Sequence, residues 1–291
     1  MRFCRLLGIT RQAFYQHFWD QQDLNTEQQL VISKVKELRH LHPVLGGRKL
    51  YCLLQSFLLE HQIKIGRDAL FDLLASHRLL VRKRKRKVFT TNSRHWFKKY
   101  PNLIKSWHPQ APGQLWVADI TYVSATNRFL YLSLITDAYS HRIMGYHIAE
   151  NLDAVHTTKA LQMALQNLPK SSCLIHHSDR GLQYCSAGYV NLLKENNIEI
   201  SMTENGDPLE NPIAERINGI IKNEYLNHYK LNNQTQAMEL LSSIVSRYNK
   251  QRPHLSINLQ TPELVHHKHL KVNRRWTKQK QLPNIVNQYQ N

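Results

Sequence analysis

Asp119 stands inside "LWVADITYV" (115–123), a segment whose β-branched and aromatic residues read as a strand. A carboxylate there is costly to bury unless it is paired or holds a metal. Asp179 follows the short apolar run Cys173-Leu174-Ile175 and two histidines in "CLIHHSDRGLQY" (173–184), next to a glycine that lets the backbone turn. A strand end is a rigid mount, which suits a group that must hold a ligand. If the strands bearing Asp119 and Asp179 are neighbours, two like charges meet, which is strongly unfavourable. A divalent cation between them removes that cost. A third acid, Glu215, lies in a segment where Pro212 marks a helix start and Asn211 is able to cap it. Ile213, Ile217, Ile220 and Ile221 form the packing stripe of that helix. Glu215 lies off the stripe and shares a face with Asn218 and Lys222, so the helix could turn it back toward the sheet. By spacing alone, plainer alternatives stand beside this chemistry: a surface turn at Asp179-Arg180-Gly181, and a solvated helix face with a Glu–Lys relay.

The elements that must position these acids follow from periodicity. Strands are predicted at 115–123, 128–136 and 142–149, joined by short connections that suit an antiparallel meander. Asp153 can cap a helix carrying Ala154, Ala160, Leu161, Ala164 and Leu165. A strand at 172–177, a helix near 186–196 and the short strand "IEISM" come next. This order predicts an α/β layout around a mixed sheet. In the front half a helix capped by Thr10 is followed by one starting at Thr26, where Thr26 and Gln29 make a capping-box pattern, and ending at His42-Pro43. A second helix carries Leu50, Leu53, Leu54, Phe57 and Leu58, and a third begins at Arg67. Three short amphipathic helices fit a small DNA-binding unit and equally any helical bundle.

Charge separates the two halves. Residues 1–110 hold 21 basic and 7 acidic side chains, against 18 and 14 in residues 111–291. Within the front half, "RKRKRK" (Arg82, Lys83, Arg84, Lys85, Arg86, Lys87) places six consecutive cations that cannot pack together. We expect a solvated arm that contacts phosphate and adds affinity without reading sequence. Hydrophobic residues at 42% suffice for a real core, and no apolar run approaches the ~18 residues of a membrane span. The start lacks the apolar stretch of a signal peptide, which predicts a soluble, intracellular, cytoplasmic protein. Cys4, Cys52, Cys173 and Cys185 form no C-x-x-C pair and are expected to be free thiols.

Asp119, Asp179 and Glu215, the last two with 35 residues between them, resemble the Asp-Asp-35-Glu signature of retroviral integrases and insertion-sequence transposases. The stretches "LWVADITYV", "HSDRGLQY", "ISMTENGDPLENPIAERINGIIKNEYL" and "YNKQRPHLSINLQTPELV" resemble, in order, the blocks of the second-frame product (OrfB) of the IS-three family of bacterial transposases. Lys222 fits the family's basic residue seven positions after the Glu, and "HPVLGGRKL" resembles its helix-turn-helix segment. Where the family often has Asp-Asn before the catalytic helix, this chain has Glu210-Asn211.

The resemblance implies a ribonuclease H-like core with a mixed five-stranded sheet, preceded by a small all-α helix-turn-helix domain. It also implies two Mg²⁺ or Mn²⁺ ions held by Asp119, Asp179 and Glu215, with Lys222 touching DNA phosphate near the cut. Arg48, Lys49, Arg67 and the 82–87 run are the other candidate DNA contacts. The expected divisions are a helical segment 1–25, a helix-turn-helix domain 26–81, a basic arm and linker 82–112, a catalytic core 113–265 and a basic tail 266–291. The implied activity is a DNA transposase that binds element ends, nicks at the 3′ end and joins the 3′-hydroxyl to DNA as a multimer. The implied partners are double-stranded DNA, further copies of this chain and an upstream-frame product. A non-catalytic regulator of the element and a structure-selective nuclease on the same fold are the alternatives.

Other conspicuous residues receive plainer expectations. His176 and His177 are expected to be packed or solvated rather than to assist metal or DNA, and His266, His267 and His269 to lie in a solvated tail. Arg252-Pro253-His254 is expected to be structural or to contact DNA. Trp96, Trp107 and Trp116 are expected to pack at the domain edge, with stacking on bases as the alternative.

Overall fold

The computed structural model describes residues 10–81, 96–105, 107–126, 128–166, 168, 173–204 and 210–272. The cationic run 82–87 and Cys4 lie outside them. Among the described residues the front half folds as three helices: α1 (Arg11–Leu41), α2 (Gly47–Glu60) and α3 (Arg67–Ser76). Val31, Ile32, Val35, Leu50, Leu54, Leu70 and Leu74 form their shared core. The helix start expected at Thr26 is absent, because α1 runs through it for 31 residues. No Gly or Pro interrupts residues 11–41, so the local Thr–Gln pattern had no break to mark. The expected boundary at 25/26 therefore falls inside a continuous helix.

The rest is built on five strands: β1 (Leu115–Ser124), β2 (Phe129–Asp137), β3 (Ile143–Ala149), β4 (Ile175–Ser178) and β5 (Glu199–Met202). Their order is β3-β2-β1-β4-β5. β1, β2 and β3 pair antiparallel, while β4 runs parallel to β1 and β5 parallel to β4. This is the expected mixed sheet of a ribonuclease H-like core.

Strand alternation sorts the side chains into two layers. On one face Leu130, Leu132 and Leu134 pack under Ile217, Ile220 and Ile221 of α7 (Pro212–Ile220) and its continuation, and under Leu241, Ile244 and Tyr248 of α8 (Gln234–Gln251). On the other face Trp116, Ala118 and Ile135 pack against α4 (Ala154–Leu165), the single turn α5 (Leu182–Cys185) and α6 (Ala187–Glu195). A side chain at Gly145 of β3 would place its Cβ 2.0 Å from the Ala160 carbonyl oxygen, so the close approach of α4 to the sheet requires glycine there.

Helix α7 continues into a π turn at Ile221–Tyr225 and a 3₁₀ turn at Leu226–His228. Helix α9 (Pro262–Lys268) corrects the expected solvated tail at His266, while His267 stays exposed as expected. His266 Nδ1 lies 3.1 Å from Ser140 Oγ, and the Leu270 carbonyl accepts from the Tyr139 hydroxyl, so the chain packs on the core to about residue 272. The buried Asp137 carboxylate organises this corner by accepting from the Gly113 and Ser140 amides and the Ser140 hydroxyl. His269 is exposed. Cys52, Cys173 and Cys185 are free thiols, and no helix among the described residues is long and apolar enough to cross a membrane.

Candidate active site

The parallel register between β1 and β4 brings the two aspartates together. Val117 pairs with His177, so two residues further along each strand come Asp119 and Asp179. β4 ends at Ser178, which leaves Asp179 on the strand's carboxyl end, where the chain turns. The Gly181 amide donates to Asp179 Oδ1 at 2.9 Å and fixes the carboxylate in that turn. A Cβ at Gly181 would approach that same oxygen to 3.0 Å, which explains the glycine.

Odd positions of β1 face the α7 layer, shown by Leu115 and Val117 packing with Ala214, and Asp119 follows that phase. Helix α7 is pinned there by two asparagines. Asn211 sits at the N-cap position, but its side chain makes no cap bond; it donates instead to the Ala118 carbonyl at 2.9 Å. The expected capping role is thus replaced by a tether to the strand that carries Asp119. Asn218, buried two turns further on, donates to Asp119 Oδ2 at 2.8 Å. Glu215 lies exposed on the same helix, near enough for its charge to act on Asp119.

These surroundings disfavour the ionised form of Asp119. Burial contributes most, the Asp179 charge next and Glu215 less, and together they push the carboxyl up to about 7 despite the opposing Asn218 bond. Among the described residues no three His, Cys, Asp or Glu side chains form a complete metal cage. The donor set nevertheless fits a hard divalent cation: oxygen ligands only, two on adjacent strand positions, with mutual repulsion that a cation would relieve.

Lys222 lies in the π turn with its Nζ 3.5 Å from the centroid of the Tyr122 ring, and Phe129 meets Tyr122 edge-on. Partial burial lowers the Lys222 pKa. On the opposite layer Tyr184 is buried, and its hydroxyl has no hydrogen-bond partner among the described residues. Burial, then the charges of Tyr189, Asp179 and Asp119, raise its pKa.

The remaining candidates are scattered. Arg48 is exposed on α2, whereas Lys49 turns toward Arg252 and Glu224; burial and the Arg252 charge lower it to about 8. Arg67 is exposed and engages Asp68 at 2.8 Å. His176 and His177 are buried, the packed one of the two alternatives; Nε2 of His176 meets the Tyr189 hydroxyl at 2.9 Å and Nδ1 of His177 meets Ser201 Oγ at 2.9 Å. Trp116 is fully buried, Trp107 is half-buried and Trp96 is 87% exposed, so the packing expectation fails for Trp96. Arg252 is entirely buried, which removes it from direct DNA contact. Sequence reading gave no role to Asn218, Tyr122 or Tyr184. The position of Asn218 three residues after Glu215 was a local signal; the other two depended on packing.

Comparison with known proteins agrees with this architecture. Two family models, each described as "Integrase core domain", match residues 109–208 and 196–262. A 31 kDa protein of insertion element IS600 from Shigella sonnei is 34% identical over 271 residues, 91% of this chain and 98% of that protein. The transposase of insertion sequence element IS629 from the same organism is 32% identical over 211 residues, 72% of this chain and 70% of its own. The transposase InsF of insertion sequence IS3A from Escherichia coli K12 is 30% identical over 169 residues, 58% of this chain and 59% of its own. Among solved structures, the HTLV-2 integrase catalytic core in complex with magnesium aligns with a TM-score of 0.43 at 19% identity, covering 54% of this chain and 97% of that one. With 34% identity across nearly the whole IS600 protein, this chain belongs to the IS3 family of insertion-sequence transposases and carries their integrase catalytic core.

Proposed function

We propose that the chain is a DNA transposase that binds the ends of its insertion sequence, nicks at the 3′ end and joins the freed 3′-hydroxyl to DNA. Hydrolysis of the first phosphodiester leaves a 3′-hydroxyl and a 5′-phosphate. That hydroxyl then attacks a second phosphodiester and displaces another 3′ oxygen, so one bond forms for each that breaks. The observation that supports this reading is the register that brings the positions of Asp119 and Asp179 onto neighbouring strands, with Glu215 of α7 near enough for its charge to act on Asp119. Asp119, Asp179 and Glu215 would hold two Mg²⁺ or Mn²⁺ ions. Such paired ions supply Lewis acidity to the attacking and leaving oxygens.

The chain's own residues orient the acids and the DNA. Asn218 and the Gly181 amide fix the two aspartates, so little reorganisation is needed when substrate arrives. Lys222 contacts phosphate near the scissile bond. Arg48, Lys49, Arg67 and Arg82–Lys87 bind the backbone of the element end. Phosphate contacts of this kind set register and affinity rather than sequence choice. The protein acts on bacterial DNA in the cytoplasm as an oligomer on paired ends, and the upstream-frame product is a further candidate partner.

The test incubates purified chain and labelled duplex carrying the element end with Mn²⁺, beside the Asp179→Asn variant. Joined products that vanish in the variant are expected. DNA binding without cleavage, equal in both proteins, would replace this reading with a non-catalytic regulator.

A further inference from the structure

The π turn Ile221–Tyr225 carries three side chains with three separate attachments. Lys222 lies over Tyr122, a residue of the strand that bears Asp119. Two positions on, Glu224 accepts from Arg252 through Nε at 3.0 Å and Nη2 at 3.0 and 2.9 Å. Arg252 is wholly buried, and its Nη1 also meets His254 Nε2 at 2.9 Å. The next residue, Tyr225, is buried too, with its hydroxyl 2.7 Å from Nδ1 of His42 at the end of α1. Arg247 of α8 donates to the Leu41 carbonyl at 2.9 Å in the same contact. The front-half helices therefore meet the catalytic core at the turn that presents Lys222.

A π turn inserts one extra residue into a helix and changes the phase of everything after it; such insertions are uncommon and cluster at functional sites. Here the changed phase sends Glu224 to Arg252 and Tyr225 to His42, while Lys222 stays over Tyr122 of the strand that bears Asp119. A bidentate carboxylate–guanidinium pair is geometrically rigid, so the turn is held from both sides. We propose that this π turn is a junction through which DNA binding by the front-half helices sets the position of Lys222, with Tyr225, Glu224 and His42 as positioning residues. The proposal rests on the transposase reading of Lys222.

Tyr225→Phe and His42→Phe each remove the cross-domain bond and keep an aromatic ring in its place. In single-turnover joining with Mn²⁺ and end DNA, Tyr225→Phe should slow the reaction about tenfold. DNA affinity and Mn²⁺ affinity should stay within about twofold. The double variant should be no slower than either single one. In a Lys222→Ala background, Tyr225→Phe should have no further effect, which a merely structural role would not produce. Amide exchange supplies a readout independent of chemistry: end DNA should protect residues 221–226 in the parent chain and not in Tyr225→Phe. Unchanged joining, an equal loss in the Lys222→Ala background, or identical exchange in both proteins would overturn the junction. If the parent itself does not join DNA, the transposase reading fails, and the exchange experiment still decides whether the front half reaches the π turn.

Discussion

Asp119→Asn tests how much repulsion the folded site carries in the absence of metal. Folding raises this carboxyl from its ordinary 3.8 to about 7. Between those values the folded chain holds a proton that the unfolded chain has lost. Stability therefore falls as pH rises through the window, and the whole deficit is present above it. At about 1.36 kcal/mol per pH unit the deficit is bounded by about 4 kcal/mol. Solvent still reaches part of the half-buried carboxyl, so we expect about 2–3 kcal/mol at pH 8. The amide is nearly isosteric, removes the charge facing Asp179 and Glu215, and can still accept from Asn218. Urea unfolding in chelator should show the variant more stable than the parent at pH 8 and nearly equal to it at pH 4. Added Mg²⁺ should stabilise the parent according to its binding and leave the variant almost unchanged, while DNA joining is lost in the variant. A variant that is less stable at pH 8, or a stability gap that does not depend on pH, would refute the account of the site as a charge cluster awaiting a cation.

Lys222→Ala should lower the slope of log affinity against log salt for end DNA by about one, and Lys222→Arg should retain it, as titrations between 50 and 200 mM salt would show. Arg252→Met leaves Glu224 without its bidentate partner and should cost about 3–5 kcal/mol in denaturant melts, with part recovered on adding Glu224→Gln. His42, held neutral chiefly by burial and then by the Arg247 and Arg252 charges, is lowered to about 4. Its contribution is complete above pH 6.5 and is lost as pH falls toward 4. His42→Phe should therefore lessen the stability lost between pH 7 and 5 by about 2 kcal/mol, measured by denaturant midpoints at the two values.

The sequence by itself determined the local features. Alternation marked β1, β2 and β3 nearly to their ends, and the Ile213–Ile221 stripe predicted which side of α7 packs. The spacing of Asp119, Asp179 and Glu215, with the ordered blocks around them, named the family before any contact was visible. Local patterns failed where a signal was ambiguous. Thr26 reads as a cap yet lies inside α1, and Asn211 occupies the cap position while its amide serves β1. His266 reads as tail because nothing nearby in sequence announces Ser140, 126 residues away.

Only the tertiary structure decided which acids meet and what holds them. The register of β1 against β4 is a property of two strands separated by an entire antiparallel hairpin and a helix, and periodicity within either strand does not contain it. The same holds for His42 and Tyr225, 183 residues apart, and for Arg252 and Glu224, 28 apart. Burial turns these distant polar groups into obligatory partners, because an unpaired charge or hydroxyl in the core costs more than the bond it makes.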